Sequence, residues 1–245
     1  MSGNWGKKIG VLTPGTNLTV EHELWGMRVD AATIATARIM IEQIQWKTDD
    51  DLRKFVEGVT NQLPATTAQV MQVQPDVLLL GIASSPLWDG LKGNKQIKQR
   101  AKKDTGLDMI TPVDAMERGL KVYGAKKIGV ITPYPELADA KVVQFFAEFG
   151  IEVIAQKGLR CKSAQEIGEV PPEVVRAAFQ EVCVPGVDAL AQLGTDLNTA
   201  VVAAQAELWL GKPVLAVNTT TWWCTLRHLG IKTQLPGWGS LLAEH

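Results

Sequence analysis

Two segments in different halves of the chain are almost identical. Residues 7–14 read KKIGVLTP and residues 126–133 read KKIGVITP. Two further pairs follow in the same order: DVLLLG at 76–81 matches DALAQL at 188–193, and residues 107–124 match residues 212–230. Matches that keep their order and spacing indicate a duplicated unit, so a functional site is expected where the two copies meet.

Each copy alternates short apolar runs with segments of helical periodicity. The apolar runs predict strands at 8–13, 76–82, 108–111, 127–132, 151–155, 188–193 and 213–217. The periodic segments predict helices at 21–42, 49–62, 94–105, 113–123, 136–149, 171–183, 197–209 and 220–229. Residues 38–46 could instead form a strand, since β-branched and aromatic residues favour one.

Alternation of this kind predicts an α/β fold in which parallel sheets are covered by helices on both faces. We expect two similar lobes, each with a central parallel sheet, related by a pseudo-twofold axis. The first lobe would span residues 1–118 and the second residues 119–221. The C-terminal segment 222–245 would cross back onto the first lobe.

Composition excludes several classes of partner. The chain has 25 basic and 26 acidic residues, with no long run of either sign, which argues against nucleic acid or an anionic membrane surface. No signal peptide and no apolar stretch that could span a membrane is visible, so we expect a cytoplasmic protein. Three cysteines and three histidines at irregular spacing indicate neither a disulfide framework nor a metal site.

Loops at the carboxyl ends of the strands should form the site, because ligands bind there in open parallel sheets. These loops are rich in Thr, Ser, Asn and Gly and comprise residues 13–17, 81–86, 111–114, 132–136, 193–199 and 216–221. Hydroxyls, amides and backbone N–H groups near helix N-termini suit a carboxylate. Neither of the glycine-rich motifs for nicotinamide or ATP is present.

Three loop residues of the first lobe and one of the second are candidate hydrogen-bond donors. The amide of Asn17 could hold a carboxylate oxygen or could cap the following helix. Ser84, with its neighbour Ser85, could donate to the substrate or cap a helix. Tyr134 could donate to an anion or transfer a proton, or could be a rim aromatic.

Three further candidates lie in the second lobe, namely Thr195, Asp196 and Asn218. Thr195 and Asn218 could line the pocket. Asp196 beside a carboxylate site would have a raised pKa and could act as a general base, although it could also cap the helix predicted at 197–209. For Glu23 we expect an interaction with the dipole of its own helix.

At these loops the chain resembles the aspartate/glutamate racemase superfamily, in particular the branch of maleate cis-trans isomerase and arylmalonate decarboxylase. The resemblance lies in residues 10–14 (GVLTP), 16–21 (TNLTVE), 132–134 (TPY), 193–199 (LGTDLNT), Asn218 and 237–242 (GWGSLL). It implies two Rossmann-like lobes that close over a small carboxylate without a cofactor or metal. It also implies a possible homodimer.

Members of this superfamily use cysteines from one or both lobes, and this chain departs from that pattern. The first cysteine position corresponds to Ile82 and the second to Gly194. Cys224, one turn into the last predicted helix, could reach the site or could be a packed thiol. Trp88, Trp222 and Trp223 lie near predicted site loops and could contact the substrate or pack in the core.

These observations predict a cofactor-independent enzyme that acts on a small carboxylate or dicarboxylate between the lobes. Tyr134 and Asp196 would be catalytic, and Asn17, Ser84, Ser85, Thr195 and Asn218 would bind the substrate. The resemblance implies an isomerase or decarboxylase. Two alternatives remain: a hydrolase or hydratase in which Asp196 or a water beside Gly194 replaces cysteine, and a non-catalytic acid-binding protein.

Overall fold

The computed structural model describes residues 5–42, 44–84 and 89–245, apart from the side chain of Asp49. Within these ranges the strands are β1 (Lys7–Pro14), β2 (Ala32–Ile39), β3 (Val77–Leu80), β4 (Met109–Ile110), β5 (Lys127–Thr132), β6 (Glu152–Gly158), β7 (Ala189–Gln192) and β8 (Val214–Ala216). They form two parallel four-stranded sheets with equivalent orders, β2-β1-β3-β4 and β6-β5-β7-β8. The predicted α/β fold with two pseudo-symmetric lobes is therefore confirmed.

Helices cover both faces of each sheet. In the described ranges they are α1 (Thr19–Gly26), α2 (Asp49–Val70), α3 (Gly90–Thr105), α4 (Pro112–Val122), α5 (Asp139–Ala147), α6 (Ala164–Gly168), α7 (Pro172–Val182), α8 (Ala200–Leu210), α9 (Val217–His228) and α10 (Ser240–Glu244). Short 3-10 turns at Met71–Val73 and Glu136–Ala138 extend α2 and precede α5.

The repeated segments form the central strands β1 and β5, which explains their similarity. An aspartate at the start of the adjacent strand serves each of them in the same way. Asp76 accepts a hydrogen bond from the backbone N–H of Lys8 at 2.8 Å, and Asp188 accepts one from Lys127 at 2.8 Å. The duplication therefore extends to the contacts that align neighbouring strands.

The side chains of β3 alternate between two apolar cores. Leu78 and Leu80 belong to the larger core, which contains α2 and continues into the second sheet. Val77 and Leu79 belong to the smaller core, which lies between the first sheet and helices α1, α9 and α10. Trp222 and Leu242 are fully buried there, so the C-terminal segment packs against the first sheet.

The helix predicted at 21–42 is wrong. Helix α1 ends at Gly26 and residues 32–39 form β2, an edge strand parallel to β1. The segment ATIATARI contains the β-branched residues that favour a strand, and apolar residues happened to recur at helical spacing across the turn. The alternative strand at 38–46 is also wrong, because β2 ends at Ile39.

Other boundaries shift without changing the element order. Helix α2 continues through Pro64 to Val70, beyond the predicted end at 62. Thr48 and Asp51 form a reciprocal capping box at its start. Helix α8 begins at Ala200 rather than at 197, and α9 begins at Val217 rather than at 220. The short helices α6 and α10 were not predicted.

Candidate functional site

A small cavity lies where the carboxyl ends of the central strands of both sheets approach each other. It is about 30 Å³ in volume. The described residues that line it come from both lobes: Pro14, Thr16, Asn17, Trp46, Phe55, Ile82, Ala83, Ser84, Tyr134, Ala164, Ile167, Gly194, Thr195 and Asp196. The duplication thus brings the loops after β1, β3, β5 and β7 to one place, as expected for parallel sheets.

Three of the lining side chains carry a buried hydrogen-bond donor that has no acceptor. They are the Thr16 hydroxyl, the Trp46 indole N–H and the Tyr134 hydroxyl, and none has a partner among the described residues. Burial raises the pKa of Tyr134, which keeps the phenol protonated and able to donate. Because an unpaired buried polar atom costs about 1–3 kcal/mol, three on the lining of one cavity indicate that a water or a ligand completes their hydrogen bonds.

Asn17 joins the two lobes beside this cavity. Its Oδ1 accepts from the N–H of Val20 at 2.9 Å, at the start of α1. Its Nδ2 donates to Thr195 Oγ1 at 3.1 Å, and that hydroxyl donates to the carbonyl of Gly81 at 3.0 Å. Asn17 therefore performs the capping role and also fixes Thr195, a predicted binding residue of the other lobe.

Asp196 lines the cavity and is anchored to the first lobe through Thr19. The Thr19 N–H donates to Asp196 Oδ1 at 3.3 Å, and the Thr19 hydroxyl donates to the Asp196 carbonyl at 2.8 Å. Burial raises the pKa of Asp196, while the bonds from Thr19 and the charge of Arg38 oppose that shift. A carboxyl group of this kind can exchange a proton with a bound ligand.

Glu23 caps the N-terminus of helix α8. Capping of this helix was the structural role considered above for Asp196. Glu23 Oε1 accepts from the backbone N–H groups of Thr199 and Ala200 at 2.8 and 2.7 Å. Its Oε2 accepts from Asn218 Nδ2 at 2.6 Å. The expected interaction of Glu23 with the dipole of its own helix is wrong, since its carboxylate instead reaches the N-terminus of a helix in the other lobe.

Burial raises the pKa of Glu23 from 4.5 to about 7, and the three hydrogen bonds only partly offset this shift. Asn218 is not among the lining residues of the cavity. Its amide donates to Glu23 and to the carbonyl of Thr195, at 2.8 Å in the latter case. Asn218 thus supports the loop that carries Thr195 and Asp196 from behind.

The predicted site residues therefore divide into three groups. Asn17, Ser84, Tyr134, Thr195 and Asp196 share the cavity, Asn218 supports it, and Ser85 lies outside the described residues, as does Trp88. Trp222 and Trp223 belong to the smaller core, and Trp222 donates to the carbonyl of Met27.

Sequence reasoning missed Thr16, Trp46 and Phe55. The rings of Trp46 and Phe55 meet edge to face, with centroids 5.3 Å apart. The backbone N–H of Trp46 donates to the carbonyl of Lys162 at 2.7 Å, which ties this loop to the second lobe. Only the position of Thr16 beside Asn17 gave any signal in the sequence, because Trp46 reaches the cavity through a tertiary contact.

No cysteine is among the described residues that line the cavity. Cys224 is buried in the smaller core and accepts a hydrogen bond from Arg118 at 3.2 Å, so its role is that of a packed thiol. Gly194, at the second cysteine position, has φ +96°, and a Cβ there would lie 2.4 Å from Pro133 Cγ. The proline ring therefore leaves no space for a side chain at position 194, although Gly194 itself lines the cavity.

The described residues contain neither a metal site nor a helix that could span a membrane. No group of three or more His, Cys, Asp or Glu side chains could hold a metal ion there. In the same ranges, none of the helices is both long and apolar enough to cross a membrane.

Comparison with known proteins agrees with this architecture. Maleate isomerases from Geobacillus stearothermophilus and Alcaligenes faecalis are 24% and 25% identical to this chain, each over 96% of it, and the matches cover 97% and 96% of those proteins. The Nocardia farcinica maleate cis-trans isomerase bound to TRIS superposes with a TM-score of 0.87 at 22% identity, covering 97% of this chain and 98% of that one.

Two further structures share the fold. A mutant of the Nocardia farcinica enzyme with a covalently bound succinylcysteine intermediate has a TM-score of 0.88 at 22% identity, over 98% of this chain and 99% of that one. Arylmalonate decarboxylase has a TM-score of 0.77 at 19% identity, over 96% of this chain and 98% of that one. The family model described as arylmalonate decarboxylase matches residues 9–242. The chain therefore belongs to the arylmalonate decarboxylase family.

Proposed function

We propose that this protein is a cofactor-independent enzyme that acts on a small carboxylate in the cavity between the two lobes. The observation that carries the proposal is that three residues lining one cavity, Thr16, Trp46 and Tyr134, each have a buried donor without a partner among the described residues. A carboxylate bound there would accept the hydrogen bonds that these groups lack. Membership of a family whose relatives are maleate isomerases and arylmalonate decarboxylase supports a small acid as the substrate.

The reaction proceeds by proton transfer from oxygen acids rather than by thiolate chemistry. A relative forms a succinylcysteine intermediate, whereas the cavity of this chain has no cysteine among its described lining residues. In one route, Asp196 takes a proton from the saturated carbon next to the bound carboxylate and returns it. In the other route, a C–C bond breaks, CO2 leaves, and protonated Asp196 delivers a proton to the carbon that carried it. In both, the protonated Tyr134 hydroxyl stabilises the negative charge that develops on the oxygens of the bound acid. The first route is that of an isomerase that acts at a saturated carbon, and the second is that of a decarboxylase.

The hydrolase alternative, in which Asp196 or a water beside Gly194 replaces cysteine, remains a prediction, because both residues line the cavity. One experiment distinguishes an enzyme from a non-catalytic acid-binding protein. The protein is incubated with maleate, maleamate or an aryl malonate and followed by NMR. Isomerised or decarboxylated product supports the proposal, hydrolysed product supports the hydrolase, and shift changes without product support a binding protein.

Two variants test the assigned roles. Tyr134→Phe and Asp196→Asn are each expected to lower turnover by about 10²-fold or more. Both should fold, since Tyr134→Phe removes an unpaired hydroxyl and Asp196→Asn keeps a side-chain oxygen for the Thr19 N–H. Tyr123→Phe and Asp188→Asn are matched controls away from the cavity and should keep wild-type turnover. Full activity in both site variants would show that the site is wrong.

A further inference from the structure

The cavity carries one acidic side chain and no basic one among its described lining residues. Asp196 is the acid, and the other groups of the lining are neutral or apolar. None of the neighbouring residues outside the described ranges has an ionisable side chain; these are Gln43 and residues 85–88. A second negative charge that entered with the substrate would therefore meet Asp196 without a lining cation to balance it.

Arg38 is the cation whose charge acts on Asp196, and its own charge is already paired. Its guanidinium forms an ion pair with Glu21. It also donates to the carbonyls of Gly15 and Asn17 at 3.2 and 3.0 Å. The side chain of Arg38 is absent from the cavity lining and holds the first loop in place, so it is not a free counter-ion for a substrate carboxylate.

Donors and acceptors are unequally distributed around the cavity. Thr16, Trp46 and Tyr134 supply donors without acceptors. The Thr195 hydroxyl already donates its hydrogen to the carbonyl of Gly81. The hydroxyl oxygen can therefore take part in a further hydrogen bond only as an acceptor. Asp196 in its ionised form is also an acceptor. The three donors thus suit a carboxylate, whereas the Thr195–Asp196 turn suits a ligand group that donates a hydrogen bond.

We propose that the substrate is a monoanion, with one carboxylate and one neutral donor group such as an amide or a hydroxyl, and that Asp196 selects it against dicarboxylates. This inference rests on the proposed function and specifies the substrate class of the same site. The carboxylate accepts from Thr16, Trp46 and Tyr134, and the neutral group donates to Asp196. A dicarboxylate would bring a like charge against Asp196, which disfavours the ionised form of either group.

Maleamate and maleate test this proposal, because they share a carbon skeleton and differ in one amide and one charge. Their dissociation constants are measured by NMR titration near neutral pH, in the cold and before turnover accumulates. The wild-type protein should bind maleamate at least about tenfold more tightly than maleate. Asp196→Asn should remove most of this preference, while Asp188→Asn, a carboxylate outside the cavity, should leave it unchanged.

A second measurement covers the case in which Asp196→Asn fails to fold. The wild-type affinity for the maleate dianion, corrected for the protonation of maleate itself, should rise as the pH falls and the acidic pair of Asp196 and the nearby Glu23 takes up protons. The affinity for maleamate should change less. Equal binding of the two acids by wild type, or a preference that survives in Asp196→Asn, would overturn the inference but leave the proposed function standing. If neither acid bound at any pH tested, both would be overturned.

Discussion

The conformation of Gly194 determines which side chains can occupy the centre of the site. Its φ of +96° lies in a region that L side chains rarely adopt, and the Pro133 ring fills the position of a Cβ. A side chain at position 194 is therefore excluded in this backbone. Asp196, two residues further on and held by Thr19, is the ionisable side chain of this turn.

Replacement of Gly194 by alanine should destabilise the protein more than the same change at Gly124. Both residues have positive φ, so both variants incur a backbone cost of about 1–2 kcal/mol. Only Gly194 also faces a clash, because nothing lies within 4 Å of a Cβ at Gly124. We expect an additional loss of about 1–3 kcal/mol in the free energy of unfolding, measured with urea.

A matched pair of variants gives the control for this prediction. Pro133→Ala should restore part of the lost stability in the Gly194→Ala background, since it removes the atoms that clash. Equal destabilisation at positions 124 and 194, with no recovery from Pro133→Ala, would show that the proline ring does not determine the residue at 194.

Helix α1 and helix α8 are joined across the lobes by one buried carboxylate. Glu23 of α1 binds the first N–H groups of α8 and the amide of Asn218, which in turn holds the Thr195 carbonyl. Four polar groups of three elements are thus linked through a single side chain. The turn with Thr195 and Asp196 is consequently positioned by an element of the opposite lobe.

Glu23 should make stability depend on pH. Its pKa is raised from 4.5 to about 7 in the folded protein, so the folded state binds the proton more tightly than the unfolded chain. The resulting stabilisation, on the order of 3 kcal/mol, is fully present below pH 4.5 and is lost as the pH rises to about 7. Glu23→Gln, which cannot ionise, should remove this component.

Urea unfolding at several pH values between 5 and 8 measures this effect. The difference in unfolding free energy between wild type and Glu23→Gln should change steadily between pH 5 and pH 7, in the direction that disfavours wild type as the pH rises. A difference that stays constant across this range would contradict the assigned protonation of Glu23.

The order of the elements could be predicted from sequence, but several of their ends could not. The buried runs of β1, β3, β5 and β7 are short and bounded by turn residues, and each was correctly placed. The segment that contains β2 carries both helical spacing and β-branched residues, and its pairing with β1 decides between them. Such a tertiary contact leaves no local signal.

At the scale of the whole molecule, the duplication explains why one cavity receives loops from both halves. Two sheets of equivalent strand order present their carboxyl ends to each other, and helix α9 returns to pack on the first sheet. Five of the predicted site residues line the cavity because they follow strands. Trp46 and Phe55 do not follow central strands, and the strand-end rule could not identify them.

A crystal structure of the protein with maleamate tests the central claim most directly. We expect a carboxylate in the cavity, with an oxygen about 3 Å from Tyr134 Oη and a second contact to Trp46 Nε1 or Thr16 Oγ1, and with the amide directed towards Asp196. Maleamate bound elsewhere, with the cavity unchanged and these three donors still unpaired, would contradict it.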